Sequence, residues 1–427
     1  MDEWGTISLM ETENYRKQRG LALANDKGKR IKMVLDGKYL VPSASASLGS
    51  YFVDTLGKTC SCPDFETRGI QCKHMWALEF VRHRVTDANG QTVETQSMRV
   101  TYRQPWAAYN AAQMEEKSRV EILLKGLCEG IVQPAREPGR PGRPRVCLAD
   151  TVYAAAMKTF VGMSGRRSTV DINECEAKGH IDSTPHYNSV FRTMERADMF
   201  PLLKTLVEES ASPLRAIETN FAVDATGFAT QTYVRFYDFK HGSDRRVQRW
   251  VKAHAMVGCT TGAISALEVT EGNVNDSVMF APLVKTTAKR FTLEDVTADK
   301  AYLARPHVTL VEEIGHAQGS TATMYVPFKS NSRGHGPEAW RKLWHLFNYK
   351  REEFLTHYHQ RSQVEASFSA LKRVFGGNLR SKLPAAQYNE VALKALVFNL
   401  SRLVHATHEL GIDEPSFWTA LPQKAGS

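Results

Sequence analysis

Short apolar runs separated by Gly, Pro and polar clusters alternate with segments of helical periodicity along this chain of 427 residues. Near the start, Tyr39-Leu40-Val41 and Ser50-Tyr51-Phe52-Val53 read as strands, the second entered through Gly49, and residues 74–82 read as a helix. Residues 106–133 carry a helical pattern. The Pro and Gly of 136–145 exclude helix and strand alike and mark a linker. Residues 148–215 read as short helices interrupted at Gly162, Gly165, Gly179 and Pro185. From 219 the pattern turns to strands at 221–224, 233–236, 251–257 and 263–269. A helix follows to residue 289, with Asp276 before Ser277 as its cap. Then come a strand at 295–298 ending at Asp299, a helix at 304–315, a strand at 323–328 and a long helix at 338–375.

The last of these helices holds the most telling arrangement. Tyr358, Arg361, Glu365 and Lys372 stand at offsets 0, 3, 7 and 14, which on a helix brings them within about 60° of one another. Val364, Phe368, Leu371 and Phe375 form an apolar stripe about 80° away, so one edge can pack while the other meets a ligand. Gly376-Gly377 ends the helix. Asp224 ends an apolar strand before Ala-Thr-Gly, and Asp299 ends another before Lys-Ala-Tyr. Two carboxylates on strand ends and Glu365 on a packed helix offer three hard oxygen ligands, a set suited to Mg²⁺ or Mn²⁺. Two such ions serve in-line phosphoryl transfer.

Charge fits that chemistry. The net charge is +9, and residues 341–382 concentrate nine Lys and Arg against three Glu. A basic surface around a candidate catalytic helix points to a polyanion. The acidic start without an apolar run predicts no signal peptide, and no stretch has the length of a membrane span. A cytoplasmic protein is expected.

Seven cysteines in such a compartment argue against a disulfide framework. Cys60-x-Cys62-x9-Cys72-x-His74 instead gives four ligands for one closed tetrahedral Zn²⁺. The site is structural, because no coordination position stays open. The pattern resembles the SWIM zinc finger, which binds DNA or protein. Gly139 to Arg145 resembles an AT-hook, with Arg140, Arg143 and Arg145 entering a minor groove; a plain basic linker is the other reading. Residues 148–200 read either as a helix-turn-helix, with Ser164 to Arg167 at the turn, or as ordinary short helices.

Tyr358-x2-Arg361-x3-Glu365-x6-Lys372, together with Val-Asp224-Ala-Thr-Gly and Ala-Asp299-Lys-Ala-Tyr, resembles the bacterial insertion-sequence DDE transposases carrying the Tyr-Arg-Glu-Lys signature. The likeness covers about 219–405, and the element order there is close to the ribonuclease H-like fold. It implies that Asp224, Asp299 and Glu365 bind two Mg²⁺ or Mn²⁺ ions, and that Tyr358, Arg361 and Lys372 contact DNA. Arg373 next to Lys372 extends that basic face, and Lys252-x-His254 matches a pair that family members often carry. Only 65 residues separate Asp299 from Glu365, which leaves no room for the large β insertion of some members.

The expected fold is α/β. Residues 1–100 form a small α+β zinc-binding domain, 101–147 a helix and basic linker, and 148–215 a helical, candidate DNA-binding region. Residues 216–410 form the ribonuclease H-like catalytic domain with a mixed sheet flanked by helices, and 411–427 a tail. The expected activity is transposition: binding double-stranded DNA at terminal inverted repeats, cutting there and joining the 3′-hydroxyl to a target, as a homodimer or larger assembly in a nucleoid-associated setting. The alternatives are a ribonuclease H-like nuclease without strand transfer and a DNA-binding regulator derived from a transposase.

Overall fold

A computed structural model describes residues 16, 18–20, 22–24, 26–35, 37–44, 49–81, 83–86, 92–95, 105–134, 146–230 and 250–418. The strand expected at 233–236 and the arginines 140, 143 and 145 lie outside the described residues. The chain divides into two compact units, 1–104 and 105–427.

In the first unit, β1 (Lys32–Leu35), β2 (Lys38–Pro42), β3 (Ser50–Asp54) and β4 (Thr59–Cys60) form an antiparallel sheet in that order. Helices α1 (Pro63–Arg68) and α2 (Lys73–Val81) follow, then a hairpin of β5 (His83–Thr86) and β6 (Thr92–Thr95). Its core is small: Leu23, Ile31, Tyr39, Val41, Val53, Ala77 and Leu78 pack with Cys60, Cys62 and Cys72. A unit with so thin a core benefits from a metal staple.

The second unit opens with five helices, α3 (Trp106–Cys128), α4 (Leu148–Val161), α5 (Gly165–Ala177), α6 (Tyr187–Met194) and α7 (Met199–Ala211). A mixed sheet follows, built from β7 (Asn220–Ala229), β8 (Trp250–Gly258), β9 (Ile264–Glu271), β10 (Asp295–Ala298) and β11 (Thr323–Tyr325). Its order is β11-β10-β7-β8-β9. Strands β7, β8 and β9 form an antiparallel meander, and β10 and β11 add parallel strands on the other edge of β7. Helices α8 (Phe280–Ala288) and α9 (Arg305–Gln318) connect these strands.

After the sheet come α10 (Glu338–Tyr349), α11 (Arg351–Tyr358), α12 (Ser362–Phe375) and α13 (Pro384–Leu410). The last is buried along most of its length, from Ala386 to Ala406. Its Asn399 side chain donates to Val207 O and Ile264 O and accepts from Ile264 N, so one amide ties α7, β9 and α13. The helices before the sheet therefore share one continuous core with it.

Three expected elements differ. The strand at 221–224 runs on to Ala229, because the Ala-Thr-Gly segment keeps its ladder with β8. The strand at 323–328 ends at Tyr325. The long helix at 338–375 is broken. Lys350 leaves helical geometry at φ −127, ψ 52, and residues 359–361 form a 3₁₀ turn between α11 and α12. No Pro or Gly marks the first break. It is set by packing, with Phe354 buried edge-on against Phe347 and Arg351 stacked on the same ring at 4.9 Å.

Candidate active site

Strand β10 ends at Ala298, paired with Val223 on its parallel neighbour β7. The next residues of the two strands are Asp299 and Asp224, so the register itself sets the two carboxylates side by side. At this point β7 leaves β10 and continues with β8, bridged among the described residues only at Ala229 to Asn378 on its other edge; open α/β sheets place their ligands at the ends of such parallel strands. Asp224 thus sits in mid-strand, not at its strand's end. Its Oδ1 accepts from Ala225 N at 2.8 Å, and Asp299 Oδ1 accepts from Lys300 N at 2.5 Å.

Helix α12 packs over this end of the sheet through Val364, Ser367, Phe368 and Leu371. The 3₁₀ turn before it stacks positions three apart more nearly in line than an α-helix does. Arg361 consequently lies over the Tyr358 ring at 5.9 Å. Its guanidinium is 2.7 Å from Glu365 Oε1 and 3.8 Å from Asp224 Oδ2. The signature residues share a face, although Tyr358 belongs to α11, Arg361 to the turn, and Glu365 and Lys372 to α12.

Burial pushes the Asp224 carboxyl above its ordinary range; the Ala225 amide and Arg361 oppose this, and the charges of Asp299 and Glu365 add to it. Asp224 therefore feels both other acids, and Arg361 bridges Asp224 and Glu365 as a stand-in cation. A hard divalent ion fits that donor set, since it would relieve the same repulsion.

Lys372 Nζ donates to Thr226 Oγ1 at 2.6 Å and lies 5.3 Å above the Phe228 ring. Burial lowers its amine. Asp224, Thr226 and Phe228 alternate along β7 and face α12 together. Thr226 and Phe228 were not singled out in the sequence; the alternation from Asp224 would have found them had the strand been read to its true end. Arg373 is exposed on α12.

The Lys252-x-His254 pair departs from expectation. On antiparallel strands, opposed residues share a face, and His254 opposes Ala225 while Asp224 opposes Ala255. His254 is therefore on the far face of the sheet, at 0% exposure. A fully buried imidazole makes no contact with DNA, which corrects that assignment. It bonds Thr270 Oγ1 at 2.8 Å and lies 3.4 Å from Asp276. Lys252 Nζ is 2.9 Å from Val274 O and 3.0 Å from Asp276, so its charge is already neutralised. Asp276 is accordingly an ion-pair partner. Asn275 makes the capping bond to Ser277 N at 3.1 Å.

The zinc candidates converge in the first unit. Cys60 is on β4, Cys62 caps α1, Cys72 precedes α2, and His74 lies in its first turn. Among the described residues this is the one group of three or more Cys, His, Asp and Glu whose donor atoms all close to within 4.8 Å. Cys72 Sγ and His74 Nδ1 are 3.8 Å apart. A tetrahedron with Zn–S of about 2.3 Å and Zn–N of about 2.0 Å has edges of about 3.5–3.8 Å. The Cys60 thiol donates toward Cys72, pulling Cys72 down to about 4 and pushing Cys60 up. All four side chains are buried. The donor set fits Zn²⁺.

Residues 216–400 match the family model of the transposase DDE domain, and residues 45–83 match that of the SWIM zinc finger. No curated protein matches the chain. Among solved structures, the chain is similar to the cryo-EM structure of a piggyBac transposase synaptic complex with hairpin DNA. The identity is 12%, over 74% of this chain and 78% of that one, with a TM-score of 0.34. The chain carries a transposase DDE domain and a SWIM zinc finger with a matching metal-binding cluster. Among the described residues, no helix is long and apolar enough to cross a membrane.

Proposed function

We propose that this protein is a DNA transposase that binds terminal inverted repeats, cuts at the element's ends and joins the freed 3′-hydroxyl to target DNA at one acidic centre. The observation that carries the reading is the register of β7 and β10. It aligns Asp224 with Asp299, and α12 brings Glu365 to the same face, joined to Asp224 through Arg361. The mixed sheet with its parallel β7–β10–β11 edge supports a ribonuclease H-like arrangement for this unit.

Asp224, Asp299 and Glu365 would hold two Mg²⁺ or Mn²⁺ ions. When bound, such ions supply activation of the attacking oxygen and charge neutralisation at the leaving oxygen. The chain's own residues do the positioning. Arg361, released from Glu365, is placed to take a phosphate oxygen bidentately. Lys372 lies eleven residues further on, about three turns or roughly 16 Å along the axis, where it would meet a phosphate farther along the strand. Tyr358 is held under Arg361 and fixes its plane. Cys60, Cys62, Cys72 and His74 would hold one structural Zn²⁺ that stabilises the first unit. Two ends cut together call for at least a homodimer on DNA.

The test uses the purified protein and a duplex carrying the element's terminal repeat. Asp224→Ala retains end binding and loses cleavage in Mg²⁺. Wild-type cleavage by that variant removes the acidic triad from the chemistry. A joining assay with precleaved ends then separates a transposase from a nuclease: no joined product means a nuclease without strand transfer.

A further inference from the structure

Away from the acids, a cavity of about 650 Å³ opens between α4, α5 and α6 and the segment joining α12 to α13. Its floor is apolar, with Ala155, Val190, Met194 and Leu393, and it carries two rings, Phe191 and Phe375. Four cations line it, Lys158, Arg380, Lys382 and Lys394, against two carboxylates, Glu195 and Glu390. The balance is more lopsided than that count. Glu390 already accepts from Arg380 N and Ser381 N and pairs with Lys394.

Lys394 is satisfied by Gly376 O and Asn378 O at 2.9 and 2.8 Å. Lys158 is not satisfied in this way. Its amine lies 5.7 Å over the Phe191 ring, and among the described residues it makes no hydrogen bond or ion pair. Arg380 spans the mouth with one nitrogen on Gly162 O at 2.9 Å, and its other nitrogens have no partner among the described residues. Burial pushes the Lys158 amine down, Glu390 opposes, and Arg380 pushes it down again. A desolvated amine facing a guanidinium across an apolar hollow costs free energy unless an anion enters. The ligand therefore has a flat apolar part for the rings and a negative group for the mouth.

We propose that this cavity binds a single nucleotide unit, its base against Phe191 and Phe375 and its phosphate on Lys158, Arg380 and Lys382. Base–aromatic stacking and cationic phosphate contacts are the two terms that hold single-stranded nucleic acid. Position supports DNA as the source. Phe375 is three residues beyond Lys372, about 4.5 Å along the helix, and Lys372 and Lys394 flank the same Phe228 ring at 5.3 and 5.5 Å. A strand leaving the acidic centre over Lys372 reaches the cavity next. This placement rests on the transposase reading; the ligand chemistry does not.

The test measures binding of full-length protein to three probes: a deoxynucleoside monophosphate, a short single-stranded DNA and a blunt duplex carrying the terminal repeat. Phe191 is partly exposed, and among the described residues Lys158 makes no hydrogen bond or ion pair, so Phe191→Ala and Lys158→Gln fold, which thermal melting checks. Both variants weaken single-strand binding roughly ten-fold. Weakening confined to the monophosphate also supports the cavity, with a free nucleotide as its ligand. Wild-type affinity of both variants for both the monophosphate and the single-stranded DNA overturns the proposal, even where duplex cleavage stands. If the wild-type protein neither binds nor cuts the duplex while the monophosphate arm responds, the transposase reading fails and the cavity remains.

Discussion

Arg361 decides the state of the site. With Glu365 Oε1 at 2.7 Å and Asp224 Oδ2 at 3.8 Å it lies between two of the acids, and a bound cation would free it for phosphate. On the proposed reading Lys372, with a half-buried amine on Thr226 and Phe228, is placed to contact a phosphate. Lys372→Met should weaken end binding and lower the slope of log affinity against log salt by about 0.9. An unchanged slope removes Lys372 from the contacts. His254 acts on stability instead. Burial lowers its imidazole, Asp276 raises it and Lys252 lowers it. A depressed imidazole contributes stability that is present above its ordinary pKa of about 6.5 and is lost as pH falls through the folded value. Wild-type melting temperature should therefore fall more between pH 7.5 and 5 than that of His254→Asn, with Lys252, Thr270, Glu268 and Asp276 left in place. Equal drops would assign the acid sensitivity elsewhere.

At the scale of elements, α12 and β7 carry the design. The turn between β8 and β9 approaches α12 closely: Gly262 has φ +77, and a Cβ there would meet Ser367 Oγ at 2.8 Å. Gly262→Ala should cost about 1–2 kcal/mol from the left-handed backbone alone, shift α12, and reduce cleavage more than binding. A melting temperature and cleavage rate both at wild-type level would show α12 to be set otherwise. Much of this was legible in the sequence. Strand β10 ending just before Asp299, the strands β8 and β9, and the apolar stripe of α12 all followed from local pattern, and Cys60, Cys62, Cys72 and His74 from spacing. What stayed hidden depends on pairing. Ala225-Thr226-Gly227 looks like a turn and stays a strand because β8 holds it. The break at Lys350 comes from Phe347, Phe354 and Arg351, with no local signal. The far-face position of His254 needed the register.

The chain holds a small unit with a buried Cys3His cluster and a larger unit whose helical and sheet parts share a core. Zinc binding energy becomes folding energy where the apolar core is thin. A zinc-selective chelator, with Mg²⁺ kept in excess, should make the first unit protease-sensitive and leave the shared helix-and-sheet core of the second resistant. Resistance of the first unit without zinc would mean that its own core suffices. The central claim concerns the larger unit: Asp224, Asp299 and Glu365 act together in one reaction. Single-turnover cleavage of terminal-repeat DNA in Mg²⁺ tests it, using Asp224→Asn, Asp299→Asn, Glu365→Gln and the double variant of the two aspartates. Residues acting as a unit lose rate non-additively. Each single variant should lose cleavage by about the amount the double variant does, with end binding unchanged. Any single variant cleaving at the wild-type rate would contradict the account.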